Sequence, residues 1–391
     1  MADDARTLLI TLTGKDRPGV TSLAFDTLAR FGVDVIDIEQ IVLRGRLVLG
    51  LLVTAPQESE RLRIELTGAA ESLGMSVEVQ EGSGDNRRRP SGRSHVTVLG
   101  TPLPATAVAA IAGRIAESGA NIDRIERMAR YPVTAIDLHV SGTDTDELRP
   151  VLAAEAARQG VDVAVQPANL LRRGMRLIVM DVDSTLIQGE VIEMIAAHAG
   201  CEAAVAEVTE RAMNGELDFA ESLRERVALL EGVPAEALDQ VYDALVLAPG
   251  ARTTVRTLKR LGYRFAIVSG GFSQITDRLA TDLGIHYAAA NELEIVDRAG
   301  KATALRRFAD QLGLPLAATI AIGDGANDLD MLNTAGLGIA FNAKPLVRAA
   351  APNAVNVPYL DAVMYLLGIS REEIEAADAA AGITTPAPPV A

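Results

Sequence analysis

The sequence predicts an α/β protein with two small βαββαβ domains followed by a larger domain built on a doubly wound, mostly parallel sheet with a helical cap. Apolar segments with strand and helix spacing occur in the order βαββαβ twice before residue 168. From residue 174 onward, strands alternate with helices, which is typical of a parallel sheet. A Gly-, Ser- and Arg-rich segment at residues 81–93 has the composition of a linker and predicts a domain boundary.

The two small domains are predicted over residues 1–83 and 94–168. In the first we expect strands at residues 7–13, 35–43, 46–54 and 76–79, and helices at residues 21–31 and 59–73. In the second we expect strands at residues 94–99, 122–129, 134–140 and 161–165, and helices at residues 105–118 and 145–159.

The two small domains also share sequence. An offset of 87 positions aligns Gly32 with Gly119, and the same offset aligns Ile38 with Ile125, Glu39 with Glu126, Leu51 with Leu138, and Val53 with Val140. Together with the matched order of elements, these identities favour a diverged internal duplication over chance. The βαββαβ unit is a common superfold, so its architecture alone does not fix a function.

The third domain is predicted over residues 174–370. Its expected strands are residues 177–180, 264–268, 286–289, 319–322 and 338–340, with a further strand-like segment at residues 292–296. Between residues 190 and 249 the sequence has helical spacing without a strong strand, which predicts a helical cap inserted after the first strand. Residues 371–391 are expected to form a flexible tail, because residues 376–391 are rich in Ala and Pro.

Composition excludes several classes of function. The net charge of −15 and pI near 4.8 argue against nucleic acid as a partner, and 3% aromatic residues leave little for base stacking. Cys201 is the single cysteine, so an intramolecular disulfide is excluded. Because no apolar run reaches membrane-span length and Asp3 and Asp4 are unlike a signal peptide, we expect a cytoplasmic protein without a membrane partner.

The most informative motif is the pair Asp181 and Asp183, which directly follows the apolar strand at residues 177–180. Ligands bind at the carboxyl ends of strands in open α/β sheets. There, one carboxylate could accept a phosphoryl group while the other transfers protons. Taken alone, such a pair is more often a turn or a helix cap.

Two further strand ends carry polar residues. Ser269, Gly270 and Gly271 precede a helix predicted at residues 272–283, where unpaired N–H groups favour phosphate, although an ordinary Ser N-cap with a Gly turn is the alternative. After the strand at residues 319–322, Asp324, Asn327 and Asp328 form an acidic cluster. Clustered carboxylates favour a hard cation such as magnesium, and an Asx-turn with a helix cap is the alternative.

Lys301 begins the predicted helix at residues 302–312. A lysine at a helix start opposes the helix dipole, so another group could hold it there. Taken singly, Lys301 would be a solvated surface charge. Beside the two acidic strand ends it could neutralise the nucleophile and the phosphoryl group.

The ordered set DxDST, SGG, Lys and GDGAND resembles the haloacid dehalogenase superfamily of phosphotransfer enzymes, over residues 177–369. This resemblance implies a Rossmann-like fold for the third domain. The cap resembles that of the phosphoserine phosphatases within this superfamily. Four of its residues have the spacing found in those enzymes: Glu190, Met213, Phe219 and Arg226.

The resemblance implies roles for the strand-end residues. Asp181 would attack phosphorus and become an aspartyl-phosphate, and Asp183 would protonate the leaving oxygen and then activate water. Ser269, the Gly270 N–H and Lys301 would hold the phosphate oxygens. Magnesium would be bound by Asp181, the backbone carbonyl of Asp183, and Asp324, while Asp328 orients the site and Asn327 lies near the substrate.

The resemblance also implies roles for the cap. Glu190 would pair with the substrate ammonium and Arg226 with its carboxylate, a task suited to a guanidinium. Met213 and Phe219 would close the apolar side. Alternatively, Met213 and Phe219 are core residues, and Glu190 and Arg226 belong to a solvated face.

The implied activity is a magnesium-dependent phosphoserine phosphatase that makes serine. The alternatives are a phosphatase for another small phosphomonoester and an amino-acid-sensing regulatory protein. One departure concerns Lys301, because the family has a longer hairpin before this lysine, whereas here only residues 297–300 separate it from the strand-like segment at residues 292–296.

The loop at residues 13–20, with sequence TGKDRPGV, resembles the first loop of ACT domains, which are ferredoxin-like and bind amino acids at paired interfaces. The corresponding loop of the second copy, residues 100–105, lacks the Asp-Arg-Pro-Gly signature. The resemblance implies a serine effector at the first domain and a homodimer. The alternative is that both copies serve only dimerisation or solubility.

Overall fold

The computed structural model describes residues 6–84, 92–169, 171–174, 176–213, 217, 219–234, 236–291 and 298–386. The chain divides into two compact units, Met1–Arg89 and Pro90–Ala391. The second predicted domain therefore belongs to the same unit as the third. Among the described residues, no helix combines the length and apolarity that crossing a membrane requires.

The first unit is a four-stranded antiparallel sheet with two helices packed on its apolar face. Its elements are β1 (Arg6–Lys15), α1 (Val20–Ala29), β2 (Val35–Leu43), β3 (Arg46–Thr54), α2 (Ser59–Ser72) and β4 (Met75–Ser83). The strand order in the sheet is β2-β3-β1-β4. Alternate residues of β1, including Leu8, Ile10 and Leu12, are buried against Leu62 and Leu66 of α2, as the period of two in the sequence predicts.

The second unit begins with the same arrangement. Its first elements are β5 (Arg93–Gly100), α3 (Ala105–Glu117), β6 (Asn121–Ala129), β7 (Thr134–Ser141), α4 (Thr145–Gln159) and β8 (Asp162–Pro167). The strand order β6-β7-β5-β8 repeats that of the first sheet. Gly32 and Gly119, aligned by the sequence offset, both have positive φ angles, of 63° and 75°. The order of elements predicted for both copies is confirmed.

The larger sheet has six strands in the order β11-β10-β9-β12-β13-β14, and all its pairs are parallel. Outside the cap, its elements are α5 (Leu171–Gly174), β9 (Leu177–Met180), α10 (Ala251–Arg260), β10 (Arg264–Phe272), α11 (Ser273–Leu283), β11 (Tyr287–Asn291), α12 (Arg298–Gln311), β12 (Thr319–Gly323), α13 (Leu329–Thr334), β13 (Leu337–Phe341), α14 (Pro345–Ala350), β14 (Asn353–Val355), α15 (Val363–Leu366) and α16 (Arg371–Ala380). The predicted doubly wound sheet is confirmed.

Strand β9 lies at the centre of this sheet, and its four residues are fully buried. It pairs with β10 on one side and β12 on the other, and Met180 is aligned with both Ile267 and Ile322. The chain passes from β9 to β10 in one direction and reaches β12 in the other, so β9 marks a topological switch point. The carboxyl ends of β9, β10 and β12 therefore meet at one edge.

The cap consists of helices α6 (Val191–Ala199), α7 (Glu202–Met213), α8 (Phe219–Ala228) and α9 (Glu236–Ala244). Within its described residues the insert has no strand, as predicted. Its two connections to the core run antiparallel and form a bridge between Ile187 and Leu247. The Gln188 N–H donates to the Val246 carbonyl at 2.8 Å. The cap is thus attached through a narrow two-stranded hinge.

The structure differs from the sequence predictions in two places near the C-terminal end of the large domain. The short strand β14 was missed, because three residues carry little periodicity. The prediction of a flexible tail is wrong for Arg371–Ala380, which form α16; its Asp378 is fully buried and receives hydrogen bonds from Arg256 and Arg260. Residues 292–296, predicted to be strand-like, and most of the predicted linker lie outside the described residues.

Strand β8 joins the second βαββαβ domain to the large sheet. The Val165 N–H donates to Asn353 Oδ1 at 3.0 Å, and Asn353 lies on the edge strand β14. The buried Asp162 carboxylate accepts from the Val357 N–H at 3.2 Å. Leu99 and Val133 belong to the same apolar cluster as Tyr365 of the third domain. These contacts explain why the two domains form one compact unit.

Candidate active site

Asp181 and Asp183 leave β9 in different directions. Asp181 is 4% exposed, and its N–H donates to the Ile322 carbonyl at 2.9 Å, which continues the pairing with β12. Asp183 accepts from the Val191 N–H at 2.8 Å and from the Ser269 hydroxyl at 3.1 Å. Directly after Asp183 the chain turns sharply, and Ser184 has a φ of 54°. The two carboxylates therefore have different partners and can perform different tasks.

Lys301 is buried and bridges two acidic strand ends. Its Nζ lies 2.8 Å from Asp181 Oδ1 and 2.7 Å from Asp328 Oδ1, and the side chain is 1% exposed. Burial opposes the charged ammonium, but the two carboxylates raise the pKa of Lys301 above its ordinary value. The alternative of a solvated surface charge is therefore wrong. The lysine lies within α12, which begins at Arg298, four residues before the predicted helix of residues 302–312.

The turn after β12 is built around Asp328. Its Oδ2 accepts from the Gly325 N–H at 2.9 Å while Oδ1 faces Lys301, so both oxygens have partners. A Cβ at Gly323 would lie 2.4 Å from Asp328 Cγ, so glycine is required there. The backbone at Asp328 forms the end of a short helix, Ala326–Asp328. For the backbone of Asp328, the alternative of a turn with a helix cap is therefore correct. It does not account for Asp324.

Asp324 completes a cluster of three carboxylates. One carboxylate oxygen each from Asp181, Asp324 and Asp328 lies within 4.8 Å of the others. Burial, followed by the charge of Asp328, raises the pKa of Asp324 to about 6, although the Thr185 hydroxyl donates to Asp324 at 2.8 Å. Burial and the same neighbour raise the pKa of Asp181 well above its ordinary value.

A hard metal ion fits this donor set. Buried carboxylates at this spacing repel one another, and a divalent cation held by carboxylate oxygens offsets that repulsion. The carboxylate of Asp183 lies outside the cluster and faces Ser269 instead.

Ser269, Gly270 and Gly271 form a tight loop at the end of β10. The Gly271 N–H donates to Ser269 Oγ at 2.8 Å, and Ser269 is 1% exposed. Helix α11 follows with Phe272 as its N-cap residue. The alternative that Ser269 is an ordinary N-cap is therefore wrong, and its hydroxyl points to Asp183.

The cap contributes charged residues with altered pKa values. Burial raises the pKa of Glu190 to about 7, assisted by Asp183 and Asp324, and the Ser184 hydroxyl donates to Glu190 at 3.2 Å. Burial lowers the pKa of Arg226, whereas Glu190 and nearby acids act in the opposite direction. Both residues are half-buried, and the charge of Glu190 acts on the pKa of Arg226, which favours a common site over the solvated-face alternative.

The structure brings together most of the predicted residues. Asn327 lies in the turn after β12, beside Gly325. Met213 ends α7 and Phe219 begins α8, and their side chains lie outside the description. The interpretation of these two residues as pocket wall or core stays a prediction.

Two residues of the site were missed from the sequence. Thr185, inside the quoted DxDST motif, is fully buried and donates to Asp324. Asn291, the last residue of β11, donates from Nδ2 to the Gly270 carbonyl at 2.5 Å. The sequence signal for Asn291 was a polar residue at the end of a fourth strand. That strand, β11, pairs with β10, which carries the loop of Ser269, Gly270 and Gly271.

A second group of potential metal ligands lies far from β9 in sequence. His95, Asp137 and His139 lie on the neighbouring strands β5 and β7, with one ligand atom each within 4.8 Å of the others. Arg172 contacts the same cluster, at 3.4 Å from Asp137 Oδ2 and 3.0 Å from His95 Nδ1. Because a guanidinium already supplies positive charge to Asp137, this cluster favours an ion pair between domains over a metal centre.

Comparison with protein-family models agrees with this architecture. Residues 175–336 match the haloacid dehalogenase-like hydrolases. Residues 6–80 and 93–166 each match an ACT domain model. The match of residues 93–166 supports the interpretation of the second copy as an ACT domain despite its divergent first loop.

Individual relatives cover nearly the whole chain. The chain is 61% identical over 390 residues to a phosphoserine phosphatase of Streptomyces coelicolor, covering 96% of this chain and 95% of that protein. It is 50% identical over 390 residues to a phosphoserine phosphatase of Mycobacterium tuberculosis, covering 95% of each. A solved structure of a probable phosphoserine phosphatase from Vibrio cholerae is similar with a TM-score of 0.54 and 32% identity, covering 75% of this chain and 90% of that one.

Proposed function

Because this chain belongs to the phosphoserine phosphatases of the haloacid dehalogenase-like hydrolases, we propose that it hydrolyses O-phospho-L-serine to L-serine and phosphate, the last step of serine biosynthesis. The observation that carries this proposal is the Lys301 ammonium held between Asp181 and Asp328 at 2.8 and 2.7 Å. The ammonium lowers the pKa of the buried Asp181 carboxyl, against the effects of burial and of Asp328, at the switch point of the sheet, where a nucleophile is needed.

Asp181 is the nucleophile. Its free oxygen attacks phosphorus, the bond between phosphorus and the serine oxygen breaks, and an aspartyl-phosphate forms. Asp183 donates a proton to the leaving serine oxygen, which requires a carboxyl that holds a proton near neutral pH. Burial, opposed by the Val191 N–H and the Ser269 hydroxyl, raises the pKa of Asp183 in this direction.

Asp183 then reverses its role. As a carboxylate it accepts a proton from a water molecule, whose oxygen attacks phosphorus and releases phosphate with regeneration of Asp181. Ser269 donates its hydroxyl, and Gly270 its N–H, to the phosphoryl oxygens, while Lys301 offsets their charge. The 3.1 Å contact between Ser269 and Asp183 supports this arrangement, because it places the phosphate cradle beside the acid.

We propose magnesium as the metal. Asp181, Asp324 and the backbone carbonyl of Asp183 would hold it, and Asp328 would orient the site through Lys301 and Gly325. When bound, this ion supplies positive charge to the nucleophile and to a phosphoryl oxygen. Removing it with a chelator should abolish turnover, and adding magnesium should restore it.

Substrate selectivity belongs to the cap. Glu190 would bind the substrate ammonium and Arg226 its carboxylate, while Met213, Phe219 and Asn327 would complete the pocket. The charge of Glu190 acts to raise the pKa of Arg226, against burial, which supports a site with both charges. Arg226→Ala should reduce kcat/KM for phosphoserine at least about tenfold more than for phosphoethanolamine, which lacks the carboxylate.

The decisive assay is phosphate release by the purified full chain from phosphoserine with magnesium. We expect turnover by the wild type and none above background by Asp181→Asn. Turnover of another small phosphomonoester with no turnover of phosphoserine would favour the second phosphatase function. No turnover of any phosphomonoester would favour an amino-acid-sensing regulatory protein.

We further propose serine as an effector of the ACT domains and a homodimer as the assembly. The outer residues of β2 support pairing between chains, because this edge strand exposes Ile41 at 49% and Leu43 at 66%. Titration of serine into the full chain, with heat and phosphate release followed, tests the effector, and light scattering tests the dimer. Absence of heat and of any change in rate would exclude serine as an effector, and a monomer mass would exclude the dimer.

We also propose a cytoplasmic location, which the single cysteine of the chain supports.

A further inference from the structure

We propose that Asn291 is a positioning residue that fixes the Gly270–Gly271 peptide of the phosphate-binding loop. The inference rests on the proposed phosphatase function, in which that loop holds the phosphoryl oxygens. Asn291 does not contact the reacting atoms. It acts through one backbone carbonyl.

The loop lies where the pairing of two strands is interrupted. Strands β10 and β11 pair in parallel register up to Val268, and the register then shifts until Phe272, which is aligned with Asn291. Ser269, Gly270 and Gly271 occupy the gap. Within it, the Gly270 carbonyl receives the side-chain amide of Asn291, whose Nδ2 lies 2.5 Å away. A side chain therefore supports the loop where the regular pairing shifts.

Both ends of the Gly270–Gly271 peptide are held by side chains. The Gly270 carbonyl and the Gly271 N–H belong to one planar trans peptide, so they point in opposite directions. Asn291 holds the carbonyl end, and Ser269 Oγ accepts from the N–H end at 2.8 Å. Glycine on each side permits the peptide to rotate with little steric cost. The two hydrogen bonds oppose that rotation.

The fixed peptide sets the direction of the Ser269 hydroxyl. Ser269 Oγ accepts from the Gly271 N–H, so the hydroxyl proton of Ser269 points away from Gly271. The same oxygen, Ser269 Oγ, lies 3.1 Å from Asp183 Oδ2 and donates to it. The loop is tightly packed, because a Cβ at Gly271 would lie 3.0 Å from Ser269 Oγ and 3.4 Å from Asp183 Oδ2. Rotation of the peptide would therefore disturb both the phosphate donor and the proton donor.

The chemistry of Asn291 matters as well as its shape. The Gly270 carbonyl only accepts hydrogen bonds, so the amide must present its NH₂ group. Asn291→Asp keeps the shape and replaces this donor by an oxygen that repels the carbonyl. Asn291→Ala removes the partner and the side-chain volume. The two variants separate the hydrogen bond from packing.

The experiment compares Asn291→Ala and Asn291→Asp with the wild type and with Asn353→Ala. Asn353 on β14 provides a matched control, since its Nδ2 also donates to a backbone carbonyl, that of Gly338 at 3.1 Å. Steady-state kcat and KM for phosphoserine, inhibition by orthovanadate, and the melting temperature with and without orthovanadate are measured on full chains. Orthovanadate is a phosphate mimic that tests the loop without turnover.

We expect kcat to fall about tenfold in Asn291→Ala and further in Asn291→Asp, with weaker orthovanadate inhibition in both. Asn353→Ala should lower the melting temperature and keep kcat and orthovanadate inhibition. Wild-type kcat and inhibition in Asn291→Asp would overturn the proposal. A wild type inactive on phosphoserine would instead overturn the proposed function, and the melting shift with orthovanadate would still test whether Asn291 supports the loop.

Discussion

Lys301 illustrates how the role of a residue depends on its neighbours in the fold. In the sequence it is one of many charged residues at helix starts, and only its order among the strand-end motifs indicated chemistry. In the structure it is 1% exposed and contacts two buried carboxylates. Removal of its charge leaves both acids without their cation.

Lys301→Met should therefore abolish phosphate release and also destabilise the fold. Breaking a buried ion pair by removing one partner costs about 3–5 kcal/mol, because the remaining charges stay desolvated. Urea unfolding measures the loss, with Lys259→Met as control, since Lys259 forms an exposed contact with the Gly284 carbonyl. Equal stability of the two variants would contradict a buried, charged Lys301.

At the residue scale, the sequence predicted the groups that carry charge and missed those that support them. Asp181, Asp183 and Asp324 stand out because they closely follow apolar strands, and Lys301 stands out by its order among these motifs. Asn291 acts through the Gly270 carbonyl, and that contact depends on the shifted register between β10 and β11. A shift of register has no local sequence pattern, so the sequence could not predict it.

At the scale of elements, the cap helix α9 and the core helix α11 are joined by a polar cluster. Tyr242 of α9 donates to Asp282 of α11, and the Arg278 guanidinium lies 3.9 Å from the centre of the Tyr242 ring. Arg278 also pairs with Asp239 at 2.6 Å. Because α11 follows the phosphate-binding loop, this contact links the cap to the site.

Arg278→Ala should loosen the cap and raise KM for phosphoserine about three- to tenfold, with a smaller change in kcat. Loss of the cation–π contact and of the exposed ion pair should weaken the attachment of the cap to the core by roughly 1 kcal/mol or somewhat more. Steady-state kinetics measure the effect. Arg298→Ala is the control, because its exposed pair with Asp330 at 2.6 Å joins two core helices. A KM of Arg278→Ala equal to that of the wild type would show that this contact does not hold the cap.

Helix α16 shows a second element whose anchor is electrostatic. Burial raises the pKa of Asp378, but hydrogen bonds from Arg256 and Arg260 outweigh it and lower the pKa below its ordinary value. A carboxyl with a lowered pKa contributes stability above its unfolded pKa, and this contribution is lost as the pH falls through the folded value. The prediction of a tail rested on the Ala- and Pro-rich residues 376–391 and overlooked the capping box of Ser370 and Glu373 at the start of the helix.

Asp378→Asn should therefore lower the melting temperature at neutral pH, and the difference from the wild type should shrink below about pH 4, where the unfolded carboxyl begins to protonate. Thermal unfolding at several pH values measures this. Asp330→Asn, at an exposed pair, should show a smaller effect at neutral pH. A difference that grows on acidification would contradict a charged Asp378.

At the scale of the whole molecule, the sequence predicted three domains and the structure forms two compact units. The order of elements follows from local periodicity, so it was predictable in both repeats and in the large sheet. The union of the second βαββαβ domain with the large sheet depends on contacts such as Val165 with Asn353 at 3.0 Å. These residues are 188 positions apart in the chain, and neither has a local signal for the other.

A chain beginning at Pro90 should fold and retain kcat for phosphoserine within about twofold, because it keeps one complete compact unit. A chain beginning at Arg176 should unfold more readily, because it uncovers the apolar cluster shared with Leu99 and Val133. Thermal unfolding and phosphate release test both. Loss of folding in the chain from Pro90 would contradict the division into two units.

The transfer of the phosphoryl group to Asp181 is tested most directly by trapping the covalent intermediate. The enzyme is quenched with acid during turnover of phosphoserine, reduced with borohydride, which converts an acyl phosphate to an alcohol, and sequenced by mass spectrometry. We predict homoserine at position 181 and unmodified aspartate at position 183. Homoserine at another carboxylate, or none during steady phosphate release, would contradict the account.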